Sequence, residues 1–130
     1  MIIRSKAPLR LGLAGGGTDV APFSDLYGGA ILNATISMYA TAAIQPRNDG
    51  KIIINALDKH ERYELNSAPD LDIDGKLELH KGIYNRLVRD YSLQPLSFEL
   101  STYVDAPPGS GLGTSSTLVW SPYLAHSPNG

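Results

Sequence analysis

Leu9, Leu11 and Leu13 alternate with Arg10 and Gly12, and this period of two predicts a strand over residues 2–14 with one buried face. The pattern stops at Gly15-Gly16-Gly17-Thr18-Asp19, where no regular element continues comfortably. Between Pro22 and Gly28-Gly29, the segment Ala21 to Tyr27 has room for a short helix. Residues 30–45 are small, β-branched or apolar and carry no charge, which predicts one long strand or two with a bend. Asn48-Asp49-Gly50 offers the positive-φ residues of a tight hairpin turn, with Lys51 to Leu57 as the returning strand. Arg62 to Leu65 reads as a weaker strand.

The strongest helical period lies between Leu77 and Tyr91. Leu79, Ile83, Tyr84, Leu87, Val88 and Tyr91 share one face, with Lys81, Arg86, Arg89 and Asp90 mostly opposite. Pro95 blocks extension. Leu96, Phe98, Leu100, Thr102 and Val104 then alternate with Ser97, Glu99, Ser101 and Tyr103, a half-buried strand that ends at Asp105-Ala106-Pro107-Pro108. A second Gly-rich loop follows, and a helix is expected to start near Thr114 to Ser116, whose hydroxyls can cap it. This order of elements predicts an α+β fold with helices on a mostly antiparallel sheet.

Composition narrows the function classes. The chain has 130 residues, 42% hydrophobic and 18% charged, enough for one domain with a core and unlike a disordered chain. Eleven basic against thirteen acidic residues leave a net charge of −2, without the basic footprint of a general nucleic-acid binder. There is no cysteine, hence no disulfide framework and no thiolate metal site. No stretch reaches the roughly 20 apolar residues of a membrane span. The N-terminal apolar run is too short for a signal peptide, so a cytoplasmic protein without a membrane partner is expected.

Two loops can carry chemistry. In Pro107-Pro108-Gly109-Ser110-Gly111-Leu112-Gly113-Thr114-Ser115-Ser116, three alternate glycines let backbone N–H groups approach a ligand, and a helix N-terminus behind them favours an anion. Thr114, Ser115 and Ser116 place hydroxyls where phosphate or a phosphate-bound Mg²⁺ would sit. The loop is neither a Walker A motif nor Gly-x-Gly-x-x-Gly. A plain capped connection is the other reading, but the Pro-Pro entry, the glycine alternation and the hydroxyl run together favour phosphate. In the first loop, Asp19 either accepts hydrogen bonds from sugar hydroxyls or caps the short helix. Arg10 is either a surface strand residue or the charge that steadies a transferring phosphoryl group. His60, His80 and His126 lack metal-ligand spacing. Asp70, Asp72 and Asp74 read as a solvated edge, and the Asn33-Ala34-Thr35 sequon carries no weight inside an apolar strand.

Taken together, Ala7-Pro8-Leu9-Arg10-Leu11, Gly15 to Asp19 and Pro107 to Ser116 resemble the GHMP small-molecule kinases, over residues 1–119. Leu13 to Asp19 and Leu79 to Arg86 resemble the branch that phosphorylates a heptose 7-phosphate at its anomeric hydroxyl. The resemblance implies a fold like the second domain of ribosomal protein S5, with a left-handed β-α-β crossover. It implies ATP held by Pro108, Gly109, Ser110, Gly111, Leu112, Gly113, Thr114, Ser115 and Ser116, with Ser115 as the hydroxyl ligand to Mg²⁺. Arg10 takes the place of the basic residue beside the transferring phosphoryl group, and Gly16, Gly17, Thr18 and Asp19 the place of the sugar contacts. The expected partner is a small sugar phosphate rather than nucleic acid. The alternatives are a kinase for another sugar such as fucose, or a non-catalytic S5-like binding module.

The family's later general base, third Gly-rich motif and second domain have no counterpart in these residues. Residues 120–130, with Pro122 and Pro128, depart from the family's long apolar helix. The expectation is an ATP-binding domain at 1–119 with a divergent tail, from a truncated or frameshifted sequence that does not catalyse transfer by itself.

Overall fold

The computed structural model describes residues 1–75, 77–91, 94–107, 109–112 and 117. The expected strands form, in the order β1 (Ile3–Ala14), β2 (Leu32–Pro46), β3 (Lys51–Ala56), β4 (Glu61–Asn66) and β5 (Phe98–Val104). Two helices join them, α1 (Phe23–Tyr27) after β1 and α2 (Glu78–Tyr91) before β5. The helix expected near Thr114 to Ser116 lies outside the described residues.

All five strands make one mixed sheet in the order β1-β2-β5-β3-β4. Only β3 and β5 run parallel; the other three pairings are antiparallel, as the expected α+β class requires. The order corrects one expectation. The turn after β2 does contain Gly50 at positive φ, but β2 and β3 are not partners. The start of β5 lies between them, with Phe98 opposite both Pro46 and Ile52. Backbone groups stitch this three-way junction: Arg47 N–H donates to Ser97 O at 2.9 Å and Ser67 N–H to Gly50 O at 2.8 Å. Ser97 Oγ donates to Lys51 O at 2.7 Å. Arg47 is ion-paired with Asp49 and reaches Glu99 at 3.4 Å. Its hydrogen bonds hold the Asp49 carboxyl down at about 2.

Residue parity separates the two faces of the sheet. On the inner face Ile52 and Ile54 of β3 pack with Leu71 and with Tyr84 and Val88 of α2, joined by Leu65 and Phe98. Tyr84 locks helix to sheet edge, its hydroxyl donating to Ala68 O at 2.6 Å and accepting from Leu96 N–H at 3.2 Å. Asn85 adds two bonds to the Leu71 backbone, at 2.7 and 2.8 Å. Lys81, expected opposite the apolar face, is instead buried at 4% exposure. Its Nζ meets Asp74 at 2.5 Å, so the loop before α2 supplies the counter-charge that the helical pattern alone does not show.

A second cluster holds Leu9, Ala40, Val104 and Ala106, with Ile36, Met38 and Leu112 against it. Here the alternation in β1 misleads: Leu9 is fully buried, but Leu11 and Leu13 are 45% and 57% exposed. β5 accompanies β2 only from Ala40 to Pro46, so the ends of β1 and β2 beyond it project as a two-stranded ribbon. No described helix is long and apolar enough to cross a membrane.

Candidate active site

The ribbon and the second Gly-rich loop meet at Arg10. The β1–β2 register shifts between Pro8 and Arg10, so the Arg10 N–H is not spent on β2. It donates to Leu112 O at 2.9 Å. That bond, with Leu112 packed against the Leu9 cluster, anchors the loop to β1. A cavity of about 180 Å³ opens beside it, lined by Arg10, Gly12, Asp19, Ile31, Asn33 and Gly111. Three residues singled out from separate motifs, Arg10, Asp19 and Gly111, therefore share one cleft.

The first loop is built as a frame for this cleft. Gly15, at φ +76°, and Gly29 sit where the chain folds back on itself. A Cβ on Gly15 would lie 2.0 Å from Ala30 O, and one on Gly29 would lie 2.2 Å from Thr18 O. Thr18 closes the frame. Its hydroxyl lies 2.7 Å from Gly15 O and 3.0 Å from Ala30 O, and accepts from the Ala30 N–H at 3.1 Å. The Thr18 side chain is thus committed to the backbone. Gly16 and Gly17 have open space where a Cβ would be.

In the second loop Gly109 and Gly111 adopt positive φ, +77° and +74°, with nothing within 4 Å of the Cβ position. Such a backbone leaves room for a phosphate to approach its N–H groups. Ser110 N–H turns back to Pro107 O at 3.3 Å. Pro108, Gly113, Thr114, Ser115 and Ser116 lie outside the described residues. Asp105, the other carboxylate near the loops, is structural: its Oδ2 accepts from Tyr39 N–H at 2.7 Å and its own N–H donates to Tyr39 O at 3.0 Å. Gly12, Ile31 and Asn33, which the sequence motifs do not single out, also line the cleft. The usable signal was register, since a β1–β2 pair closed by residues 15–30 sets Asn33 opposite Gly12. Among the described residues no three His, Cys, Asp or Glu side chains converge as a metal cluster.

No family profile matches the chain. It is 55% identical over 117 residues to the D-glycero-α-D-manno-heptose 7-phosphate kinase of Campylobacter jejuni, which covers 90% of this chain and 34% of that protein. Among solved structures it superposes on a D-glycero-D-manno-heptose 1-phosphate kinase from Bacteroides thetaiotaomicron with a TM-score of 0.84 and 60% identity, over 92% of this chain and 39% of the other. The galactose complex of Lactococcus lactis galactokinase matches at TM-score 0.72 and 26% identity, over 91% and 30% respectively. The fold is similar to the N-terminal part of these sugar kinases, and the structural neighbours are GHMP small-molecule kinases. The chain is similar to the heptose phosphate kinases and spans about a third of the length of the curated relative it matches.

Proposed function

We propose that these residues form the ATP-binding domain, over 1–119, of a sugar kinase that transfers a phosphoryl group from ATP to the anomeric hydroxyl of D-glycero-D-manno-heptose 7-phosphate. The observation that carries this reading is the single cleft shared by Arg10, Asp19 and Gly111. The sugar is taken from the similarity to the heptose phosphate kinases.

The second loop suits a nucleotide phosphate, because its positive-φ glycines leave the backbone open to close approach. Residues 108–116 hold the phosphates in this reading, and Ser115 offers a hydroxyl to the accompanying Mg²⁺. When bound, ATP supplies the phosphoryl group and Mg²⁺ neutralises part of its charge. Arg10, tied by its backbone to Leu112, is held where a fixed guanidinium stabilises charge moving between donor and acceptor oxygens. Asp19 takes sugar hydroxyls, and the backbone at Gly16 and Gly17 gives the sugar close approach. Thr18 contributes by keeping that backbone in place. ATP and a sugar phosphate as substrates favour a cytoplasmic setting.

A chimaera tests this. The aligned N-terminal third of the Campylobacter jejuni relative is replaced by this chain's aligned segment, and ADP release is measured with heptose 7-phosphate, heptose 1-phosphate and fucose. Turnover with the 7-phosphate, giving a 1,7-bisphosphate, is expected. Preference for unphosphorylated fucose would refute the substrate, and no turnover with any sugar would refute the kinase role. The 130 residues assayed alone are expected to release no ADP, since Asp19 is the only carboxylate lining the cleft among the described residues.

A further inference from the structure

The outer face of the sheet carries a second and larger cavity, of about 370 Å³, that the kinase reading does not use. Register shows how it arises. Arg4, Ala43 and Ser101 lie side by side across β1, β2 and β5, and Lys6, Thr41 and Tyr103 form the next row. Thr41, Ala43 and Ser101 are small, so the middle of both rows makes a sunken floor. Arg4 and Lys6 rise along one side. Tyr103 and Leu57, 45% and 51% exposed, rise along the other.

Charge on this face is uneven. Glu99 is already engaged by Arg47 at 3.4 Å and Arg62 at 3.8 Å, and Glu64 by Lys51 at 2.5 Å. Arg4 and Lys6 have no carboxylate partner among the described residues. The Lys6 ammonium rests 3.9 Å from the centroid of the Tyr39 ring, which holds it at the rim while leaving it free to meet an anion. We infer that this basin is a binding site for a small aromatic anion, its ring lying on the Thr41–Ala43–Ser101 floor against Tyr103 and Leu57, its carboxylate or sulfonate between Arg4 and Lys6. The volume falls within the range of about 300 to 1,000 Å³ usual for small-molecule sites, and the lining pairs an apolar bed with a few convergent charges.

The test is an amide NMR titration of the 130-residue chain with naphthalene-2-sulfonate and with its neutral counterpart, 2-naphthalenemethanol. Saturable shifts are expected at Arg4 to Lys6, Thr41 to Ala43 and Ser101 to Tyr103. The neutral compound should bind about tenfold more weakly, the effect expected of two partly exposed cations. In the variant Arg4→Glu/Lys6→Glu the sulfonate should lose at least this factor, and in Ala43→Leu, which fills the floor, it should not bind. Because the neutral compound is compared on the unaltered chain, misfolding of a variant leaves the test standing. Equal affinity for both compounds would overturn the proposal, as would shifts centred on the exposed Leu13, Val20 and Tyr27. So would movement of the basin amides on raising protein concentration alone, which would make a second copy the occupant.

Discussion

Thr18→Val replaces one hydroxyl by a methyl of nearly the same shape and removes the closure of the loop that frames the cleft. The wild-type oxygen lies within 3.1 Å of three backbone groups, but a hydroxyl has a single hydrogen. It can donate fully either to Gly15 O or to Ala30 O, while accepting from Ala30 N–H, so two hydrogen bonds are lost rather than three. At about 1 kcal/mol net for each, and with water able to replace part of this in an exposed loop, the loss is about 1 to 2 kcal/mol. That cost falls on local opening of residues 15–30, since no residue of α1 is buried against the core. Native-state hydrogen exchange reads it directly. Protection of the Ala30 amide should fall by roughly 5- to 30-fold in the variant, while the core amides of Ile52 and Ile54 keep theirs. In the chimaeric kinase the same substitution should raise KM for the sugar more than it lowers kcat. Equal Ala30 exchange in both proteins would show that the hydroxyl does not close the loop.

Arg10→Ala in the chimaeric kinase should lower kcat by on the order of 10²-fold with a modest change in KM; an effect confined to KM would make Arg10 a substrate-binding residue instead. Tyr84→Phe leaves Ala68 O and Leu96 N–H without their partner in a buried site, so urea unfolding should show a loss of about 2 to 3 kcal/mol, and a loss under 0.5 kcal/mol would refute the bridging role. His80 is buried at 9% exposure with no partner for Nε2 among the described residues, and desolvation, aided by Lys59, lowers its pKa below the usual 6.5. The unfolded chain therefore binds the extra proton first, and stability should fall as pH drops below 6.5, by at most about 1.4 kcal/mol per pH unit. His80→Leu should remove that component of the pH dependence between pH 7 and 5, and an unchanged slope would contradict it.

The parts of the fold legible in the sequence were those where local pattern and tertiary context agree. Alternation located β5, and the helical period located α2 to within one residue at its start. The turn at Asn48-Asp49-Gly50 was also real, but a turn motif reports only that the chain reverses. It does not report that a strand fifty residues later inserts between the two arms, as β5 does through Phe98. Leu11 and Leu13 carried a core-like period in a ribbon that outruns its neighbour. Lys81 looked solvent-facing because its counter-charge, Asp74, lies in an irregular segment. In the candidate site Arg10, Asp19 and Gly111 were chosen for their chemistry and converge in the structure. Thr18 shows the limit of such choices. Its hydroxyl suits a sugar equally well, and only the folded loop reveals that Gly15 and Ala30 already occupy it. Asn33 was passed over because its relevance lies in a cross-strand register, opposite Gly12.

The most direct check of the shared cleft is an amide NMR titration of the 130-residue chain, first with Mg·ATP and then with heptose 7-phosphate. ATP should shift the Arg10, Gly111 and Leu112 amides, and the sugar should then shift Gly16, Gly17, Asp19 and Asn33, each to saturation. If ATP moves only outer-face amides such as Lys6 and Ser101, or the sugar leaves residues 16–19 unmoved, the cleft is not the kinase site.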